Sequence, residues 1–491
     1  MLSKSKFIGG LQCEKRLWLE KHQPDLRDPL SDAQQALFSQ GTRVGELAQS
    51  LFPGGVDCTP DFTRADRKGI TIGLNMTKEA VRNGADVIYE AAFVANGVYA
   101  AMDILVREGK KWRAIEVKSS TGVKGYHIYD VALQYYVLTQ AGIDLVDIEL
   151  MHINNEYVRQ GDLDVSRLFN RASLLEEVRP LQSEIPDKLR IFLDLLEQDT
   201  APEIGIGPHC GEPFECPFKC HCWEHVPNQS VFNLTRIGSN AWKMYEEGLL
   251  AIEDVPEDYT LTNKQRNQVA GVQKDKEVFN AEAIAEFLGE WKFPLYFFDF
   301  ETIGPAVPLY DKSRPYEHLP FQYSLHILSK PDAELTHVEF LADPEAGDPR
   351  QALITQMLSD LKKRGSIVTY NMSFEKGKIT ALADAFPEHK DALLALNKRI
   401  VDLLIPFRNQ WCYQPSMNGS ASIKAVLPAL TSLSYKDLEI QEGGTASDVW
   451  QAMAERKFAG EPKAKMEALR KYCERDTLAM VEIYKVLGAR G

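Results

Sequence analysis

KFPLYFFDFETIG, Lys292 to Gly304, is the stretch on which the fold of the second half turns. Its apolar run is short and reads as a buried strand, with Asp299 and Glu301 at its end. Positions i and i+2 of a strand share a face, so both carboxylates point the same way. Two like charges that close repel each other unless a cation lies between them. Working outward, FQYSLHIL and THVEFLAD read as further strands, residues 351–363 as a helix, and SIVTYN as another strand. Alone, Asp-x-Glu after an apolar strand is usually only a strand exit, so the rest of the chain has to give it meaning.

Two more pieces do so. Tyr370-Asn371-Met372-Ser373-Phe374-Glu375 runs off a strand into a helix. Tyr472-Cys473-Glu474-Arg475-Asp476 lies on a late helix, where Tyr472 and Asp476 are four apart and so share a face. In this order the three pieces resemble the DnaQ-like exonucleases of the RNase H-like fold, over about residues 290–491. Asp299 and Glu301 match that family's Asp-x-Glu. Tyr370 to Glu375 match its second motif, with Glu375 where an aspartate is usual, and Tyr472 to Asp476 match its Tyr-x-x-x-Asp. Asp402 and the run GSASIKAVLPAL also look like segments of the family. The resemblance implies Mg²⁺ or Mn²⁺ held by Asp299, Glu301, Glu375 and Asp476, and 3′-5′ hydrolysis of phosphodiester bonds. It also implies that Tyr472 positions the attacking water.

A second constellation stands near the start. Between Val87 and Lys118, short apolar runs broken at Asn96-Gly97 and Glu108-Gly109 read as strands joined by hairpins. A helix over 129–139 and a strand over 146–153 follow, an α/β core. Asp103 ends one strand, and Glu116 and Lys118 share a face of the return strand. Two carboxylates suit Mg²⁺, while a lysine orients water or stabilises charge developing on phosphate. The set resembles the PD-(D/E)xK core of RecB-like nucleases, with Gln134 at the glutamine of the helix that follows. Leu138 stands where that family has a tyrosine, and Gly45 where its first helix often has a histidine. Glu46 could supply a ligand in place of that histidine, and Glu90 is a further acidic candidate near the core.

Eight cysteines stand at 13, 58, 210, 216, 220, 222, 412 and 473, four of them within Cys210 to Cys222. Such a knot reads as a metal site before it reads as disulfides. Cys13 with Cys210, Cys216 and Cys222 resembles the iron–sulfur RecB-like nucleases, which implies a 4Fe-4S cluster clamping the two ends of that domain. Cys220 is then spare. A four-cysteine zinc site and plain reduced thiols remain alternatives. Cys58, Cys412 and Cys473 read as ordinary thiols.

The length, 491 residues, implies several domains. The expected division is a RecB-like domain over 1–228, a helical connecting domain over 229–285 and a DnaQ-like domain over 286–491. No stretch has the roughly 20 apolar residues needed to span a bilayer, and no secretory leader is evident, so the cytoplasm is the expected compartment. A net charge of −14 argues against tight binding of any polyanion by overall charge, although a local basic stripe suffices for phosphate. The expected activity is a metal-dependent nuclease acting on single-stranded or frayed DNA. A ribonuclease, a nucleic-acid binding module with a degenerate site, and a redox-sensing regulator are the competing readings.

Overall fold

Strand β1 (Leu2–Ser3) runs directly into helix α1 (Lys4–Gln12), whose first turn is capped by Ser3 Oγ accepting from the Lys6 amide. The computed structural model describes residues 1–60 and 68–490. The backbone turns extended at Cys13 and re-forms as α2 (Glu14–His22). Then come α3 (Asp32–Gln49), started by a capping box between Ser31 and Gln34, β2 (Val56–Asp57) and α4 (Lys68–Arg82).

The expected strands between Val87 and Lys118 are β3 (Val87–Ala95), β4 (Val98–Glu108) and β5 (Lys111–Lys118). The first hairpin turns on Asn96 and Gly97, both with positive φ, the pairing that a tight two-residue hairpin requires. α5 (Gly125–Gln140), β6 (Leu145–Ile153), β7 (Phe169–Ser173) and α6 (Ile185–Leu196) complete this part. The sheet has seven strands in the order β2-β3-β4-β5-β6-β7, with β1 added parallel to the start of β4 at Leu2↔Val98. β4 is antiparallel to both β3 and β5, and β5 runs parallel to β6 across α5. Phe7, Leu17, Met102, Leu133 and Phe192 are among its core residues.

In the second half lie α7 (Asn263–Lys274), β8 (Leu295–Ile303), β9 (Leu319–Leu328), β10 (Thr336–Leu341), α8 (Arg350–Asp360) and β11 (Ser366–Thr369). They are followed by α9 (Met372–Ala385), β12 (Ile400–Asp402), α10 (Gly443–Ala454) and α11 (Pro462–Arg490). The five strands run in the order β10-β9-β8-β11-β12, with β8 antiparallel to β9 and parallel to β11. Both halves are therefore mixed α/β structures.

Two compact units emerge: Met1–His225 with Ala306–Tyr316, and Val226–Pro305 with Glu317–Gly491. Residues 229–285, expected as a connecting domain of their own, fall inside the second unit. Its small apolar cluster, including Val231, Met244, Ile252 and Val269, packs within that unit. The segment 306–316, expected in the last domain, belongs to the first, where Arg159 Nη1 donates to the carbonyls of Pro308 and Leu309. Among the described residues no helix is long and apolar enough to cross a membrane.

Candidate functional site

In the first unit, antiparallel register carries Glu90, Asp103 and Glu116 to the same level of three neighbouring strands. Glu90 breaks the ladder there, with φ of 51°. Asp103 accepts from the Val117 amide at 2.6 Å. Glu116 is buried, and its Oε1 accepts from both Lys118 Nζ and Lys4 Nζ at 2.7 Å. Lys118 also donates to Asp130 on α5 at 2.8 Å. Gln134, one helical turn on, donates to Asp130 at 3.4 Å. Glu116 Oε2 and Gln134 Oε1 are buried without a hydrogen-bond partner.

The charges follow from this wiring. Burial opposes the ionised form of Glu116, but the ammoniums of Lys118 and Lys4 prevail and hold its carboxyl down to about 2. Burial, and then Glu116, push Asp103 up to about 7. Burial likewise raises Glu90. The expected residues Asp103, Glu116, Lys118 and Gln134 are thus brought together. Glu46 is exposed on α3, which makes it a poor ligand. Lys4 and Asp130 were missed. Asp130 had a signal, its i,i+4 spacing from Gln134; Lys4, inside SKSK, had none.

In the second unit, Asp299 and Glu301 face the same way on β8, opposite Ser324 and Gln322 of β9. An oxygen of each and the Cys473 Sγ lie within 4.8 Å of one another. Glu375 comes from the first turn of α9, after Asn371, whose φ of 82° turns the chain from β11 into that helix. Asp476 and Tyr472 come from α11, and Tyr435 donates to Asp476 at 2.6 Å. A methyl built on Gly443, at the start of α10, would stand 3.5 Å from Glu301 Oε2 and 3.7 Å from the Tyr472 hydroxyl. Asp402 is buried at the edge and accepts from the amides of Asn371 and Leu404 at 2.9 and 3.0 Å, a turn-fixing role.

Among the described residues none of Asp299, Glu301, Glu375 or Asp476 forms an ion pair. Burial, then Asp476, Glu301 and Glu375, drive Asp299 well above the ordinary carboxylate range. Burial and Asp476 do the same to Glu301, against Lys424. Burial lifts Glu375 to about 8 and Asp476 to about 6, the latter held back by Tyr435 and Lys424. Glu375 Oε2 is buried without a partner. These groups fit a divalent cation: hard oxygens whose mutual repulsion such an ion would relieve. Cys473, expected as an ordinary thiol, is fully buried against this cluster. Lys424 lies in the run GSASIKAVLPAL but was not singled out within it, and no local pattern marks Tyr435.

Beside Tyr370 and Asn371 a cavity of about 530 Å³ opens, lined also by Phe407, Tyr413, Arg236 and Arg408. The Tyr370 and Phe407 rings are near parallel, 6.3 Å apart.

Cys13, at the break between α1 and α2, meets the loop that carries the late cysteines. Gln12 donates to the carbonyls of His209 and Phe214 at 2.7 Å, and Arg16 lies 5.0 Å above the Phe214 ring. Burial raises the thiols of Cys13 and Cys222, and lifts Cys216 to about 11. Cys210 adds to the rise in all three, and Cys13 to that in Cys216 and Cys222, so the four thiols share one neighbourhood, although among the described residues no three of their sulfurs lie within 4.8 Å of one another. Cys220 is exposed and turns to Asp28 instead.

Residues 296–422 match a family model described as a domain of unknown function, DUF2779. That span includes Asp299, Glu301 and Glu375 but ends before Tyr472 and Asp476. The chain is similar to the uncharacterised MG366 homologue of Mycoplasma pneumoniae, 28% identical over 209 residues, covering 38% of this chain and 31% of that protein. It is also similar to the uncharacterised MG366 of Mycoplasma genitalium, 29% identical over 211 residues, with 38% and 31% covered. Against the uncharacterised UU173 of Ureaplasma parvum the identity is 24% over 237 residues, with 43% and 33% covered. The chain spans about a third of the length of the curated relatives it matches.

Proposed function

We propose that the protein is a metal-dependent nuclease whose principal active site is the carboxylate cluster of the second unit, acting on single-stranded or frayed DNA. The observation that carries the reading is the convergence of Asp299, Glu301, Glu375 and Asp476, from three distant segments, with no ion pair to balance them among the described residues. Asp299, Glu301, Glu375 and Asp476 would hold Mg²⁺ or Mn²⁺, which supplies charge stabilisation for the attacking and leaving oxygens of phosphodiester hydrolysis. Tyr472, beside Glu301 and Asp476, orients the attacking water. The neighbouring cavity, with aromatic walls and two arginines at its lining, suits an unstacked base and its phosphate. In this reading the folds are an RNase H-like exonuclease and a PD-(D/E)xK nuclease.

The four grouped cysteines carry a 4Fe-4S cluster in this reading, with zinc the alternative. Visible absorption and metal content of anaerobically purified protein distinguish the two, and Cys220→Ser should retain whatever Cys13→Ser loses.

The first unit supports a second reading, a nucleic-acid binding module. Lys4 takes up Glu116 Oε1, so part of its charge is already balanced by protein. Cutting of end-labelled oligonucleotides with Mn²⁺ tests both readings in wild type, Glu116→Ala, Asp299→Ala and the double variant. Undiminished cutting by the double variant sinks the nuclease reading; full activity in Glu116→Ala favours a binding role for the first unit. Matched DNA and RNA substrates decide between a DNase and a ribonuclease.

A further inference from the structure

On the sheet of the second unit, a group of nitrogen and oxygen donors gathers that the carboxylate site does not use. His326 of β9 and His337 of β10 are direct cross-strand neighbours, which places both side chains on one face. Their rings lie 4.5 Å apart between centres. Glu474 of α11 closes the group. One ligand atom from each of the three residues lies within 4.8 Å of the other two.

The hydroxyls behind the rings determine which nitrogens are free. Thr477 donates its hydroxyl proton to the Glu474 carbonyl at 3.1 Å. Its Oγ1 therefore accepts from His326 Nδ1 at 2.8 Å and from Ser324 Oγ at 2.7 Å. Ser324, having donated there, accepts from His337 Nε2 at 2.9 Å. Both imidazoles thus donate toward the hydroxyls, and their lone pairs reside on His326 Nε2 and His337 Nδ1. Neither nitrogen has a hydrogen-bond partner among the described residues, and neither does the Glu474 carboxylate. Metal-binding histidines are held in this manner, the remote N–H given to an oxygen that fixes tautomer and ring orientation.

We propose that His326, His337 and Glu474 form a binding site for a divalent transition metal of the zinc class, separate from the carboxylate cluster. Two neutral imidazoles and one carboxylate are a zinc-type donor set that leaves a position for water or another oxygen ligand. Imidazole also selects such ions over Mg²⁺, which the all-oxygen cluster suits. Glu474 lies on α11 between Tyr472 and Asp476, so an ion at this site ties the helix bearing both to β9 and β10. The site stands whether or not the nuclease reading holds.

Cobalt(II) titration of the full chain tests it, because nitrogen–oxygen ligation and thiolate ligation give different absorption bands. Visible bands without a thiolate charge-transfer band are expected, and they should persist in Asp299→Asn and Cys216→Ser. Affinity should fall at least about tenfold in His337→Gln and in Glu474→Gln, two half-buried positions changed to side chains of similar size, and about 10- to 100-fold in Thr477→Val, which removes only the supporting hydroxyl. Matched far-UV circular dichroism shows that each variant folds. Unchanged titration in both His337→Gln and Glu474→Gln overturns the proposal, as does a signal that vanishes with Asp299→Asn or Cys216→Ser instead.

Discussion

In the first unit Glu116 lies between two ammonium groups, Lys4 and Lys118, each 2.7 Å away. In the second unit four carboxylates repel one another, those of Glu301, Glu375 and Asp476 on buried residues, and the nearby lysines, Lys424 and Lys378, form no ion pair with them. Counter-charges keep Glu116 ionised, while Asp103 beside it is pushed up to about 7; burial and mutual repulsion push Asp299, Glu301 and Glu375 toward their protonated forms unless a cation arrives from outside. The contrast separates two ways of storing negative charge in a fold. A lysine-balanced carboxylate is stable at rest but offers less to a metal, whereas an unbalanced set is strained at neutral pH and correspondingly selective for a divalent ion.

Neutralising one acid on each side should separate the two clusters most clearly. Asp299→Asn should lower Mn²⁺-dependent cutting by about 10³-fold or more, since the charge stabilisation at stake is several kcal/mol. Glu116→Gln should leave most of that cutting in place. If the two variants exchange effects, the ranking of the sites is wrong.

Removing a lysine from each side comes next. Lys4→Met leaves Glu116 with one ammonium and should cost about 1.5–3 kcal/mol, the worth of a hydrogen bond to a charged group. It is read as a lower urea midpoint at unchanged slope. Lys424→Met, which breaks no ion pair, should cost less than about 1 kcal/mol. Equal losses would erase the distinction.

A pH series sharpens it. Glu375 at about 8 and Asp476 at about 6 lie above their ordinary values of 4.5 and 3.8. Groups raised in the folded state contribute stability that is full below the ordinary value and lost as pH rises through the folded one. In chelator, melting of the second unit should therefore fall by a few degrees from about pH 5 to about pH 9, and Mg²⁺ or Mn²⁺ should restore part of the loss. Glu116, held down from 4.5 to about 2, behaves oppositely: its contribution is full above 4.5 and is lost progressively as pH falls from there through about 2. A flat melting profile in chelator would contradict the account of the second cluster. The smallest effect should come from Tyr435→Phe, which deletes one hydrogen bond to Asp476. About 1 kcal/mol, or roughly fivefold in cutting rate, is expected.

Much of this was readable in the chain. Alternation and turn residues marked β3, β4, β5 and β8, because a two-residue period and the Asn96-Gly97 turn act locally. The same period put Asp299 beside Glu301, and the four-residue spacing put Tyr472 on the face of Asp476. What local pattern cannot carry is the long-range partner. Lys4 reaches Glu116 only because β1 pairs with β4 and starts α1 over the sheet. Tyr435 reaches Asp476 from a segment with no marked periodicity. Cys13 was expected to join the late cysteines and Cys220 to be spare; what spacing does not encode is the contact of the Cys220 amide with Asp28.

Residue order alone specifies the kinds of groups available: paired acids at strand ends, a lysine two residues from Glu116, and cysteines at both ends of the first half. Which of those charges are balanced is visible only in the folded chain. Balance depends on distance and burial between segments far apart in the chain, and those are set by strand pairing and helix packing rather than by neighbours in sequence.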